Sequence, residues 1–278
     1  MHYTAALPAS SAPIGVFDSG VGGLSVLRHI RACLNNEHLV YVADARYAPY
    51  GERTEIEIEQ RALSIGAFLV ARGVKAIVVA CNTATAVAIG ALREAYPSLI
   101  VVGVEPGLKP AAALTRSNIV GVLATEATLA SEKFKQLRDL LATDTDIRFL
   151  SQPCNGLADQ IERGAFDDET TRSLLQGYIV PLLREGADTL VLGCTHYPFV
   201  LPQIERLVRA TTASPITIID TGEAVARHLQ TLLVQRGLHI GGDTAGSVCA
   251  FTSGDSRSLQ KSFLTLLDQQ IDVSVENF

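Results

Sequence analysis

Two cysteines stand where a thiol could do chemistry. Cys81 lies in Val79-Ala-Cys-Asn-Thr-Ala84, and Cys194 lies in Gly193-Cys-Thr-His-Tyr-Pro198. Each follows a run of apolar, largely β-branched residues, and each is followed by two polar residues, Asn82-Thr83 and Thr195-His196. A buried cysteine is more often an inert small hydrophobe than a reactive group. Position changes that balance. Just past a buried strand, where the chain turns toward a helix, amide N–H groups point outward and favour a thiolate. Cys33, Cys154 and Cys249 have no comparable polar neighbourhood and read as structural.

Several chemistries use two thiols. A disulfide switch needs only proximity and leaves the matching polar followers unexplained. A zinc site is expected to show a CxxC pair or closely spaced histidines, and neither occurs, so no metal is expected. A cysteine hydrolase needs one nucleophile and one base, which leaves a thiol over. A two-base racemase uses both: one thiolate removes a proton from one face of a stereocentre, and the opposite thiol delivers a proton to the other. His196 beside Cys194 is placed to act as an acid–base or thiolate partner.

Asp18-Ser19 followed by Gly20-Val-Gly-Gly23 reads as a helix cap, or as a loop whose N–H groups converge on an anion such as a carboxylate. Tyr50-Gly51 after Pro49 reads as a turn, Thr125 and Thr128 as helix-start hydroxyls, and Glu162 as a surface helical carboxylate. No GxGxxG, GxxxxGK[ST] or HExxH occurs. A cofactor-free proton transfer is the simplest fit.

The elements that would position these residues alternate. Short apolar runs (14–17, 38–42, 76–80, 99–104, 118–123, 147–150, 189–192, 216–219, 248–252) are separated by helical stretches, and the run at 248–252 reads as the last strand. Thr54 is a candidate cap for a helix over 55–72, and Pro181 is expected to kink or split a helix over 167–185. That order implies an α/β fold with mostly parallel sheets. The chain also repeats itself. Gly73-Val-Lys-Ala-Ile-Val-Val-Ala-Cys-Asn-Thr83 parallels Gly186-Ala-Asp-Thr-Leu-Val-Leu-Gly-Cys-Thr-His196, and Ile14-Gly-Val-Phe17 parallels Val120-Gly-Val-Leu123. The expectation is two similar lobes, each a mostly parallel sheet flanked by helices. One cysteine would stand at a strand's carboxyl end in each, the edge where open α/β sheets bind ligands, and the active site would lie in the cleft between the lobes.

Composition agrees. The 278 residues suit two domains, and 47% hydrophobic with 19% charged residues suits a substantial core. A net charge of −6 without a basic stripe argues against nucleic acid as a partner. The longest uncharged run, Ala76 to Leu92, carries Asn82, Thr83 and Thr85, so no membrane span is expected. Met1 to Pro13 does not read as a secretion signal, and five widely spaced cysteines do not form a disulfide framework. Both point to reduced thiols in the cytoplasm.

Together, Gly15-Val-Phe-Asp-Ser-Gly-Val-Gly-Gly-Leu24, Pro49-Tyr-Gly51, Val79-Ala-Cys-Asn-Thr-Ala84, Gly121-Val-Leu-Ala-Thr125 and Gly193-Cys-Thr-His-Tyr-Pro198 resemble the glutamate racemases of the aspartate/glutamate racemase superfamily. The resemblance covers nearly the whole chain after residue 13. It implies that Cys81 is the base acting on D-glutamate and Cys194 the base acting on L-glutamate, with Asp18 assisting the first and His196, with Glu162, the second. It implies that Ser19, Pro49, Tyr50, Gly51, Asn82, Thr83, Thr125, Thr128 and Thr195 join Asp18, Cys81, Cys194 and His196 in holding the substrate. It further implies a cytoplasmic homodimer without cofactor that supplies D-glutamate for peptidoglycan. Some members are activated by a cell-wall nucleotide-sugar precursor and carry an N-terminal extension, and Met1 to Pro13 is a short one. The resemblance implies a discontinuous first lobe, 1–105 plus 221–278, and a second over 106–220. Three other readings stand beside it. They are a racemase of aspartate or another amino acid, a one-cysteine lyase or decarboxylase of similar fold, and a non-catalytic two-lobe amino-acid-binding protein.

Overall fold

The computed structural model describes residues 9–242 and 244–278; the beginning of the short N-terminal extension therefore lies outside the described residues. The chain divides into two compact units, residues 1–104 with 222–278 and residues 105–221.

In the first unit the chain runs β1 (Ile14–Asp18), α1 (Leu24–Cys33), β2 (Leu39–Ala43), α2 (Glu55–Ala71), β3 (Ala76–Val79), α3 (Asn82–Ala95) and β4 (Ile100–Gly103). The second unit holds α4 (Leu108–Leu114), β5 (Ile119–Ala124), α5 (Glu126–Ala130), α6 (Glu132–Thr145), β6 (Arg148–Pro153), α7 (Leu157–Glu162), α8 (Glu169–Arg184), β7 (Thr189–Gly193), α9 (Leu201–Thr211) and β8 (Thr217–Ile219). The chain then returns to the first unit with α10 (Gly222–Gln235), β9 (Val248–Thr252), α11 (Ser256–Leu267) and β10 (Val273–Val275).

The first unit's sheet has the order β10-β9-β2-β1-β3-β4, and every neighbouring pair is parallel. All residues of β1, β2 and β3 are buried, as expected of strands covered on both faces. Ile14, Val16, Phe17, Ile77, Val78 and Val79 are fully buried, each contributing about 1.5–3 kcal/mol of apolar burial. The α1 helix packs with α10 and α11, and α2 packs with α3. Thr54 starts α2 with a capping box: its hydroxyl accepts from the Glu57 N–H while the Glu57 carboxylate accepts from the Thr54 N–H. A buried ion pair, Lys75 with Glu37, fastens the chain ahead of β9. Glu37 accepts from the Ile240 N–H at 2.9 Å, and Lys75 donates to the Leu238 carbonyl at 2.7 Å.

The second unit's sheet has the order β6-β5-β7-β8 and is also wholly parallel. It reproduces the β2-β1-β3-β4 portion of the first sheet, strand for strand. The glycines that open the sequence repeat both take positive φ, +70° at Gly73 and +91° at Gly186, where the chain leaves a helix and enters β3 or β7.

Three expectations from sequence need correction. Pro181 does not split its helix, because α8 runs unbroken from Glu169 to Arg184. Both Pro181 and Gly177, whose carbonyl loses its i+4 donor, lie on the exposed face, so water can serve that carbonyl. The 248–252 strand is not the last, since β10 follows it; three residues flanked by Asp272 and Glu276 carry too little apolar pattern to be read. Finally, Cys194 does not lead into an α-helix. The chain there forms a 3₁₀ turn over Tyr197–Val200, with Pro198 and Pro202 delaying α9.

Candidate active site

The first unit gathers one set of candidate residues where β1, β2 and β3 end. Phe17 pairs with Val79 and Asp18 with Ala43, so the chain segments leaving these strands are neighbours. Cys81 is the N-cap of α3, and its sulfur accepts from the Ala84 N–H at 3.4 Å. Its thiol also donates to Ser19 Oγ at 3.8 Å. An amide donor and a helix N-terminus aimed at sulfur both favour negative charge there. Asp18 is fully buried and accepts from the Gly20 N–H at 2.9 Å. Tyr41 donates to the Gly20 carbonyl at 2.7 Å and fixes the glycine loop from below. Gly23 has no substitute here, because a Cβ would lie 2.5 Å from Asp18 Cβ and 2.9 Å from the Tyr41 hydroxyl. Asn82 and Thr83, the first two residues of α3, are buried.

Pro49, Tyr50 and Gly51 belong to the same region. Tyr50–Glu52 forms a 3₁₀ turn packed against α3. The Tyr50 hydroxyl donates to Asp44 at 2.6 Å. Burial, and then the Asp44 carboxylate, hold this phenol far above its usual range, so it stays a donor. What Tyr50 and Gly51 can offer a ligand is their N–H groups, which open the turn and have no partner within it.

The second unit holds another set. Ala124 pairs with Gly193, so Thr125 and Cys194 follow adjacent strand ends. Gly193 is required by that closeness: a Cβ would lie 2.8 Å from the Leu123 carbonyl oxygen and 2.9 Å from Ala124 Cβ. Cys194 is buried, with its sulfur 3.5 Å from His196 Nδ1. His196 Nε2 lies 2.6 Å from Glu162 Oε1, at the end of α7. Burial pulls the imidazole pKa down, but the Cys194 sulfur and the Glu162 carboxylate outweigh it and hold the ring well above its usual value. An imidazolium beside Cys194 is therefore the favoured form at neutral pH, and it can steady a thiolate or give up a proton. Thr125 caps α5, donating to Thr128 Oγ1 at 2.9 Å and accepting from the Thr128 N–H at 3.2 Å. Thr128 and Thr195 are buried.

Each predicted residue thus falls into one of two groups. Asp18, Ser19, Pro49, Tyr50, Gly51, Cys81, Asn82 and Thr83 lie in the first unit, and Thr125, Thr128, Glu162, Cys194, Thr195 and His196 in the second. Glu162 is not the bare surface carboxylate that its helix pattern suggests, because it is bonded to His196. Sequence reasoning passed over Asp44, a strand-end aspartate like Asp18, and over Tyr41 and Tyr197. Tyr197 is fully buried; burial, and then the Cys154 and Cys194 thiols, keep its phenol protonated. The only signal for Asp44 was its place at the end of β2. Among the described residues no cluster of His, Cys, Asp and Glu could hold a metal ion. No described helix is long and apolar enough to cross a membrane.

Known proteins resemble this chain over nearly its whole length. A glutamate racemase of Ectopseudomonas mendocina is 53% identical over 266 residues, covering 96% of this chain and 98% of that one. The crystal structure of a glutamate racemase from Bacillus anthracis superimposes with a TM-score of 0.85 at 33% identity, over 97% of this chain and 98% of that one. The Escherichia coli glutamate racemase, solved with L-glutamate and the activator UDP-MurNAc-Ala, gives 0.79 at 31% identity over 95% and 97%. The family model for Asp/Glu/hydantoin racemases matches residues 14–229, a span that includes both cysteine-bearing strand ends. With two thiols set at equivalent ends of two like-ordered parallel sheets, and with these relatives, the chain belongs to the Asp/Glu/hydantoin racemase family.

Proposed function

We propose that this chain is a glutamate racemase, interconverting L- and D-glutamate by two-base proton transfer at Cα without a cofactor. The observation that carries it is the pair of thiols at matched strand ends, one per unit, each with its own polar support. The glutamate racemases to which the chain is similar supply the substrate.

The Cα proton of an amino acid is a very weak acid, and a thiol of ordinary pKa, about 8.5, is only partly ionised at neutral pH. In this reading the Cys81 thiolate, favoured by the α3 N-terminus, takes the proton of D-glutamate, and the Cys194 thiol delivers one to the opposite face. L-glutamate runs the other way, with Cys194 as base. Each turnover leaves one thiol protonated and the other ionised, in exchanged roles. Asp18 would assist Cys81, while His196 and Glu162 would assist Cys194. The N–H groups of Tyr50 and Gly51, with Ser19, Asn82, Thr83, Thr125, Thr128 and Thr195, would hold the carboxylates and the ammonium. Preorganised donors of this kind stabilise charge developing at Cα. The mechanism requires that both half-sites meet one substrate.

The product suits cytoplasmic peptidoglycan synthesis, and a homodimer belongs to the same proposal. Incubation with L-glutamate in deuterated water tests the core of it. Deuterium should enter Cα and optical rotation should fall to zero, faster than with aspartate. Absence of exchange with either glutamate enantiomer would sink the reading, and faster exchange with aspartate would move it to the other substrate. UDP-MurNAc-Ala added to the same assay reads activation directly.

A further inference from the structure

Asp44 is fully buried, and its carboxylate accepts four hydrogen bonds. Tyr50 Oη donates to Oδ2 at 2.6 Å, Arg61 Nε to Oδ2 at 2.8 Å, Arg61 Nη2 to Oδ1 at 2.8 Å and Ser253 Oγ to Oδ1 at 2.7 Å. Its N–H donates to the Asp18 carbonyl at 3.0 Å. Arg61 reaches further. Its guanidinium lies 4.1 Å above the Tyr47 ring, and Nη1 donates to the Phe278 backbone oxygen at 2.7 Å. Phe278 is itself anchored, with its ring edge-on to Phe68 at 4.7 Å between centroids, and Phe68 meets Phe251 of β9 at 5.2 Å. Glu276 accepts from Arg72 at 3.3 Å and donates its N–H to the Thr252 carbonyl at 2.9 Å.

We propose that Arg61 is a positioning residue for substrate binding, transmitting the placement of β9 and residues 276–278 through Asp44 to the Tyr50–Gly51 turn. The inference rests on the racemase reading and adds residues that do not touch substrate. Stability alone does not call for this arrangement, since well-packed apolar side chains often replace a buried ion pair at no cost. A forked guanidinium fixes direction as well as charge. Here it grips both sides of the loop at once, Tyr47 by stacking and Tyr50 through the shared carboxylate. The same carboxylate-bearing residue is tied by its backbone to the strand end that carries Asp18.

A double-mutant cycle on Tyr50→Phe and Arg61→Lys tests it, with kcat and KM measured for both enantiomers and melting temperature in parallel. Each single change breaks bonds to a buried charge and should raise KM about tenfold, with kcat changed less than about threefold. The double variant should also show about a tenfold rise, because both changes release the same turn; independent effects would give about a hundredfold. Singles that lower the melting temperature but leave KM unchanged, or a double variant with multiplied effects, would overturn the inference. Should Arg61→Lys fail to fold, Ser253→Ala takes its place in the cycle, with the same non-additivity expected. A wild-type protein that exchanges no α-proton overturns the racemase reading itself; a racemising wild type with additive variants overturns only the role of Arg61.

Discussion

Replacing Glu162 by Gln removes a charge while keeping an acceptor of the same shape. The bond at stake is the 2.6 Å contact from Glu162 Oε1 to His196 Nε2, with the two side chains 20% and 4% exposed. A hydrogen bond to a charged group in such a place is worth about 1.5–3 kcal/mol, and Gln keeps part of it. If half to all of that supports the transition state, kcat/KM falls by roughly three- to hundredfold at about 1.4 kcal/mol per decade. The fall must be the same measured from L- or D-glutamate, because the equilibrium constant of a racemisation is one. Isotope effects break that symmetry. Under the proposed two-base mechanism, in which Cys194 would remove the label from L-glutamate and Cys81 from D-glutamate, slowing the Cys194 step should enlarge the effect of 2-deuteration on kcat/KM for L-glutamate and shrink it for D-glutamate. Stability should respond with a definite sign. The folded pKa of His196 is raised, so its stabilisation is complete below the unfolded value of about 6.5 and is lost as pH rises through the folded value. Wild type should therefore exceed Glu162→Gln in melting temperature most in mildly acidic buffer, and least above the folded pKa. Equal isotope effects in the two directions, or a stability gap that widens as pH rises, would refute the coupling of Glu162 through His196 to Cys194.

Three further outcomes are expected. Cys81→Ala and Cys194→Ala should each reduce racemisation at least about 10²–10⁴-fold in an optical-rotation assay, the range of a lost general base, whereas a one-cysteine enzyme would tolerate one of them. Gly193→Ala drives a Cβ against the Leu123 carbonyl and should destabilise by about 1–3 kcal/mol, lowering the melting temperature by several degrees. Asp188 accepts from Thr115 Oγ1, Thr189 Oγ1 and the N–H groups of Arg116 and Ser117. Although burial opposes it, this set holds the carboxyl at about 2. Its stabilisation is complete above the unfolded value of about 3.9 and is lost as pH falls through the folded one, so the advantage of wild type over Asp188→Asn should vanish in acid denaturation near pH 2.

Much of the fold could be read from local pattern, and the reasons are specific. Ala76–Val79 and Thr189–Gly193 are buried on both faces, so their apolar runs are uninterrupted, and both follow a glycine that closes a helix. The cap of α2 was visible in Thr54 and Glu57. The edge strand β10 escaped because a three-residue strand with an exposed face needs little hydrophobicity. The surroundings of Cys194 were misread because proline chemistry after His196 substitutes a 3₁₀ turn for the helix that follows Cys81. Within the site, the thiols and their polar followers were legible because they are consecutive. Glu162 was reached only through the family resemblance and Asp44 not at all, since each finds partners far away in sequence: His196 for one, Arg61 and Ser253 for the other. Pairing at such separation leaves no trace in spacing.

The return of the chain at Gly222 has a consequence for synthesis. Residues 105–221 form a contiguous unit that is complete once they emerge from the ribosome, whereas β2 must wait for β9, whose Val248 pairs with Leu39. At about 5–20 residues per second, residues 222–252, which end with β9, take roughly 2–6 s. Through that interval β2 presents an open edge of Leu39, Val40, Tyr41 and Val42, and Asp44 lacks its Ser253 donor. The nascent chain is then most exposed to mispairing at the very strand whose end later sets the Tyr50 loop. Slow translation of residues 222–252 would lengthen that exposure, and the yield of soluble protein should fall with it.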